Sequence, residues 1–149
     1  MRKILVINGP NLNMLGKRDP NLYGLKTLEE INLTLTTIAQ ENEVDLIFFQ
    51  SNHEGALIDF IQSEYQNANG ILINPGALTH YGYSLRDCLG QTKLPIVEVH
   101  LSDIENRENF RTIDVLDGIV AEKIIGLKEQ SYIKGLKVLI LKGQIQKPK

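Results

Sequence analysis

Apolar and polar positions along the chain follow two rhythms. Lys3-Ile-Leu-Val-Ile7 is a short, nearly unbroken apolar run, and so are Val44–Gln50, Gly70–Asn74 and Pro95–His100. Runs of this length, bounded by Gly, Pro and Asn, predict strands buried on both faces. The segments between them carry the helical rhythm instead. Leu28, Ile31, Leu35 and Ile38 recur at helical spacing behind Thr27-Leu-Glu-Glu30, a capping-box pattern. Ser51-Asn-His-Glu54 repeats that pattern, and Leu57, Ile58 and Ile61 continue a helix toward Asn67. Further helices are predicted near Gly82–Gln91 and over Gln130–Leu141, with a short helical turn around Glu105–Phe110. A short fifth strand is predicted over Ile119–Ile125. The segment 143–149 has no periodicity and reads as a frayed tail.

Strands that alternate with helices imply right-handed crossovers and a parallel sheet covered on both faces. The fold class is therefore α/β. Five strands suit the flavodoxin-like order 2-1-3-4-5, whose switch point lies between the first and third strands. The chain of 149 residues reads as a single domain, 1–149, large enough for a real core and without repeats, linkers or low-complexity blocks.

One stretch departs from both rhythms. Ile7 to Gly24 (INGPNLNMLGKRDPNLYG) holds four Asn, three Gly, two Pro, an Arg and a Tyr where four residues would close a loop. Leu12, Met14, Leu15 and Leu22 within it weigh against a merely disordered loop.

Composition narrows the function classes. Apolar content is 42% and charged content 23%, which places the chain among globular proteins. A net charge of −2 lacks the basic stripe of a nucleic-acid binder. The single cysteine, Cys88, cannot form an internal disulfide, which fits the cytoplasm; it reads as a small core residue. The N-terminal apolar run is too short for a signal peptide, and no run approaches a membrane span.

In such a sheet, ligands bind beyond the carboxyl ends of the strands. Strand one ends in Asn8-Gly-Pro-Asn11, strand three in Asn74-Pro-Gly-Ala-Leu-Thr-His80, and strand four in Glu98-Val-His100-Leu-Ser102. Amides and imidazoles thus collect on one rim, while the opposite ends carry Lys3, Gly70 and Pro95. His80 and His100 read as functional groups there. His53 reads as part of a helix start, and Asn8, Asn13 and Asn21 as turn formers. Arg107 and Arg111 read equally well as solvated helix charges and as binding groups.

Several chemistries lack their residues. There is no Gly-rich dinucleotide fingerprint, no lysine-bearing phosphate loop and no Gly-x-Ser-x-Gly elbow. No cysteine pair or His-x-x-x-His spacing points to a metal. A flavin site would need hydroxyls after strand one, and none of the eleven lysines sits in an apolar stretch suited to imine chemistry. What remains is an acid–base site without cofactor. A tyrosine is a poor base at its ordinary pKa of about 10. Arg18, five residues before Tyr23 in the long loop, would favour the phenolate, and a loop closing over substrate would exclude water. The loop then reads as a catalytic lid.

The assembled motifs resemble the signature of type II 3-dehydroquinate dehydratases. Asn8 to Gly24 carries it, together with Phe49-Gln-Ser-Asn-His-Glu-Gly55, Asn74 to His80, Leu85-Arg-Asp87, Ile96 to Ser102 and Arg107-Glu-Asn-Phe-Arg111. The resemblance implies a flavodoxin-like fold and loss of water from 3-dehydroquinate through an enolate, by anti elimination, without metal or Schiff base. It implies Tyr23 as base, Arg18 as its phenolate partner, Asn11 as enolate stabiliser, and His100, oriented by Glu98, as acid to the departing hydroxyl. It further implies that Asn74 and Leu101-Ser102 hold the substrate carboxylate. His80 and Arg111 would then bind ring hydroxyls, and Asp87 would reach in from a neighbouring subunit of a dodecamer built from trimers. The chain departs from the family pattern at Tyr81-Gly82-Tyr83, at Asp114, where a serine is usual, and at Glu122, Lys128 and Ser131, where glycines are common. Those departures motivate a competing expectation: an inactive relative that binds a cyclic polyol acid or serves as an assembly partner.

Overall fold

A computed structural model describes residues 1–145. Five parallel strands form one sheet in the order β2-β1-β3-β4-β5, as expected. They are β1 (Arg2–Asn8), β2 (Val44–Gln50), β3 (Gly70–Asn74), β4 (Ile96–Val99) and β5 (Glu122–Ile124). The α-helices are α1 (Pro20–Tyr23), α2 (Leu28–Glu41), α3 (Glu54–Glu64), α4 (Tyr83–Gln91) and α5 (Glu129–Ile145). The expected tail over 143–149 therefore begins inside α5, and its last four residues lie outside the described residues.

The strand period of two splits the apolar runs between two cores. Ile4 and Val6 of β1 join Leu72, Val97 and Val99 beneath α2 and α5, where Ile31, Leu35, Tyr132 and Leu136 pack. Leu5 and Ile7 join Ile71, Ile73 and Ile96 beneath α3 and α4, where Leu57, Ile61, Leu85 and Leu89 pack. A strand buried on both faces must be apolar at successive positions, which is why β1 and β3 have no alternating polarity.

Local signals were realised unevenly. Thr27 and Glu30 form the complete capping box at the start of α2. The second capping pattern does not form: His53 is the N-cap of α3 and makes no side-chain cap. Ser51 Oγ accepts from the His53 N–H at 3.0 Å, and Glu54 Oε2 accepts from the Leu85 N–H at 3.0 Å, so the glutamate caps α4 instead. The fifth strand is three residues long rather than seven, because 115–119 folds into turns, with Leu116 N–H bound to Asp114 Oδ1 at 2.8 Å. The turn expected around Glu105–Phe110 is two 3₁₀ turns, Ile104–Asn106 and Asn109–Thr112. Among the described residues no helix is long and apolar enough to cross a membrane.

Candidate active site

The carboxyl ends of β1, β3 and β4 open into one cleft. It is lined by Asn11, Arg18, Tyr23, Asn74, His80, His100, Leu101, Ser102, Arg107 and Arg111, among others. Nine of the eleven residues expected from the sequence line it. Glu98 stands directly behind His100, and Asp87 lies on the exposed side of α4, outside the lining.

The long segment after β1 is organised rather than loose. Leu12 and Leu15 are buried in the core, and Leu12–Met14 forms a 3₁₀ turn. Asp19 caps α1 by accepting from the Asn21 N–H, with Pro20 at the first helical position, a favoured start. These anchors present Arg18 and Tyr23 to the cleft. Asn11 adopts the left-handed conformation, φ 71°, and its N–H donates to Asn52 Oδ1 at 2.9 Å. Gly9 lets this segment cross the loop after β3: a Cβ there would meet the Pro75 carbonyl oxygen at 2.3 Å.

Two guanidiniums surround Tyr23. Arg18 lies over the ring face, 3.7 Å from its centroid, while Arg107 Nη1 donates to Tyr23 Oη at 2.9 Å. Arg18 was expected to favour the Tyr23 phenolate; it stacks on the ring, and Arg107 makes the contact to the phenolic oxygen. Arg107 also donates to Ser102 Oγ at 3.3 Å. Arg111 joins them at the cleft, held at Nε by Glu108 Oε2 at 3.1 Å. Three arginines therefore converge on one opening of a chain whose net charge is −2, an arrangement suited to an anion. Partial burial lowers the Arg18 pKa from its usual value; Tyr23 opposes that shift, and Arg107 and Arg111 add to it.

The buried polar groups are tightly committed. Asn74 Nδ2 donates to Tyr132 Oη at 2.9 Å, Asn74 Oδ1 accepts from the Gly76 N–H at 3.0 Å, and Tyr132 Oη donates to Asn8 Oδ1 at 2.5 Å. Asn74 thus faces the cleft with one amide hydrogen left over. The Leu101 and Ser102 N–H groups donate to no backbone carbonyl among the described residues, although both residues are buried at the cleft. Unspent buried N–H groups favour an oxyanion partner. His80 Nδ1 lies 2.6 Å from the Ile113 carbonyl. A carbonyl only accepts, so Nδ1 carries the proton and Nε2 is left as an acceptor when the ring is neutral.

His100 is the deepest titratable group lining the cleft. Its Nε2 lies 2.6 Å from Glu98 Oε2 and 3.4 Å from Thr79 Oγ1. Burial lowers its pKa to about 4, partly offset by Asp114. Burial likewise raises Glu98, and it raises Asp114 to about 7, reinforced by Glu98 beside it. Glu98, His100 and Asp114 bring three ligand-type atoms within 4.8 Å of one another, but the cation against them is Lys123, whose Nζ lies 3.3 Å from Asp114 Oδ2.

Sequence reasoning undervalued Arg107 and missed Asn52, Tyr132 and Lys123. The four-residue spacing of Arg107 and Arg111 was the one available signal for the first. The other three act across 41, 58 and 9 residues of chain, where a single sequence carries no trace of contact.

The likeness to known proteins follows the same outline. The family model for dehydroquinase class II matches residues 2–140. A 3-dehydroquinate dehydratase of Roseiflexus castenholzii is 54% identical over 138 residues, covering 93% of this chain and 88% of that protein. One from Halothermothrix orenii is 46% identical over 140 residues, covering 94% and 95%. The crystal structure of the type II dehydroquinase from Butyrivibrio crossotus superposes with a TM-score of 0.89 at 43% identity, covering 93% and 97%. With a matching family model across most of its length and relatives this similar, the chain belongs to the class II dehydroquinase family.

Proposed function

We propose that the protein is a 3-dehydroquinate dehydratase of the shikimate pathway, a hydro-lyase acting in the cytoplasm without cofactor. One observation carries the reading: a tyrosine whose oxygen is bound and whose ring is covered by two guanidiniums shares a cleft with a buried His–carboxyl pair. Such a cleft holds a base and an acid at once. The positive charge around Tyr23 sits where a phenolate would carry its negative charge. Tyr23 takes the proton alpha to the ketone, and the resulting enolate is met by Asn11, with Arg18 and Arg107 close by. The enolate then collapses, the C–O bond breaks, and His100 gives a proton to the departing hydroxyl, which leaves as water. Asn74 and the free N–H groups of Leu101 and Ser102 suit the substrate carboxylate, and His80 and Arg111 suit its ring hydroxyls.

The chain acts as one catalytic domain within a homo-oligomer, a dodecamer built from trimers, in which Asp87 of each subunit completes a neighbour's cleft. Exposed Tyr81, Tyr83, Phe110 and Ile113 support that reading, since large apolar side chains on a surface favour being covered.

The test is direct. Purified protein mixed with 3-dehydroquinate and a chelator is expected to produce the ultraviolet absorbance of a conjugated enone. Tyr23→Phe is expected to abolish that signal while circular dichroism and ligand binding persist. Wild-type protein that binds substrate without turning it over, or substantial activity in Tyr23→Phe, overturns the reading.

A further inference from the structure

The loop between β5 and α5 carries a backbone feature that the elimination leaves unexplained. Lys128 stands immediately before α5 yet adopts the left-handed conformation, φ 52°. A residue at a helix start is ordinarily extended, and lysine has no short polar side chain to ease left-handed geometry. Glu43 and Lys93 share this sign of φ, but they follow the ends of α2 and α4, where left-handed residues are common. By backbone alone, glycine is favoured at 128. Neighbouring groups hold the lysine there. Its N–H donates to the Leu101 carbonyl at 2.9 Å, and the Gly126 N–H donates to the Ser102 carbonyl at 3.1 Å. The Leu127 N–H donates to Oγ of the fully buried Ser131 at 3.1 Å. The loop is thus pinned to the Leu101–Ser102 turn that lines the cleft.

The side chain mounted on this loop lies against the segment that carries Tyr23. A Cβ placed on Gly24 would stand 3.5 Å from both Cβ and Cδ of Lys128 and 3.3 Å from Glu129 Oε2. Gly24 is buried and ends α1, one residue after Tyr23. Lys26, two residues further on, lines a narrow crevice with Glu129 and Ile133, so this segment leaves along the start of α5. We propose that Lys128 is a positioning residue for Tyr23: its carbon stem is the rest on which the end of α1 sits, fixed through its backbone to the Leu101–Ser102 turn. The inference rests on Tyr23 being the base of the dehydration. Gly24 is the joint at which α1 returns to the fold, and with the stem in place that joint has no room to shift toward α5. The phenolic oxygen then stays where Arg107 bonds it, and the ring where Arg18 covers it. Base and carboxylate site share one support. A side chain remote from the reacting atoms matters in this way because a misplacement of about 1 Å costs about 100-fold in rate.

Lys128→Gly and Lys128→Met test this together. Glycine accepts the left-handed backbone freely and keeps the bond to Leu101, so Lys128→Gly is expected to melt no lower than wild type. It removes the stem, and trypsin is expected to cut it faster after Lys17 and Arg18, as read by intact mass. Its kcat for 3-dehydroquinate is expected to fall about 10–100-fold with KM nearly unchanged, since the carboxylate turn keeps its backbone support. Lys128→Met restores an unbranched stem without the charge and is expected to recover both slow cleavage and turnover. Cleavage of Lys128→Gly at the wild-type rate overturns the rest, as does a Met variant that behaves like the glycine variant. Faster cleavage with unchanged kcat overturns the positioning of Tyr23. Turnover lost together with a fall in Tm marks a merely structural role and overturns it too. If wild type turns over no 3-dehydroquinate while Lys128→Gly is cut faster and Lys128→Met is not, the dehydratase reading fails and the rest under Gly24 survives, so the two failures are told apart.

Discussion

Tyr23 touches two arginines in different ways, and the difference predicts different losses. Arg107 bonds the phenolic oxygen itself, whereas Arg18 covers the ring. A donor aimed at the atom that bears charge is worth about 10²–10³-fold in turnover when removed. Arg107→Leu is therefore expected to lower kcat by that factor with a smaller change in KM, as steady-state kinetics would read. Asp114 makes a second prediction at this scale, and its sign can be worked out. Its folded pKa of about 7 lies above its ordinary 3.8, so the folded protein holds the proton more tightly than the unfolded chain. The stabilisation is complete below the unfolded value and is lost as pH rises through about 7. Thermal melts of wild type relative to Asp114→Asn are expected to worsen steadily from pH 4 to 7 and then level off. A difference that stays constant with pH would show that Asp114 is not held protonated. Of these residues, Tyr23 and Arg18 were legible because they share a conspicuous loop. Arg107 was not, since its contact with Tyr23 spans 84 residues.

The helices show how far local chemistry reaches. Both Thr27-Leu-Glu-Glu30 and Ser51-Asn-His-Glu54 carry the same capping pattern, yet only the first closes on itself. In the second, Glu54 is drawn away to a first-turn N–H of α4, a partner 31 residues distant. Thr27→Ala removes the working cap and is expected to cost about 1 kcal/mol, a fall of about 2–4 °C in Tm, with kcat unchanged. In α5 a different balance decides. Gly135 sits inside a helix, where alanine would gain about 1 kcal/mol in propensity. A Cβ there would press on Val99 Cγ1 at 2.7 Å and Leu72 Cδ1 at 2.8 Å, and overpacking of this kind costs about 1–3 kcal/mol. The clash is expected to win, so Gly135→Ala should melt at lower temperature than wild type; a rise in Tm would show that the sheet yields there.

For the molecule as a whole, the parallel sheet gathers residues from the ends of three strands onto one rim, and Asp87 is the expected site residue that this chain does not bring there. If a neighbour supplies it, subunits carrying Asp87→Ala and subunits carrying Tyr23→Phe, each inactive alone, should regain turnover when refolded together. In a head-to-tail ring with random mixing, half the sites keep Tyr23 and half of those meet an intact Asp87, so about a quarter of wild-type activity is expected. No recovery from a mixed assembly would place Asp87 outside the site. The sequence by itself determined the strand and helix order, the 2-1-3-4-5 sheet and the rim where the candidate site residues gather, because burial on both faces and helical period are written in consecutive residues. Tertiary structure alone decided that Arg107 rather than Arg18 meets the Tyr23 oxygen, that Tyr132 holds Asn74, and that Asp114 and Lys123 stand behind His100. Those contacts join residues far apart along the chain, and their existence depends on how helices and turns pack, which no local rhythm encodes.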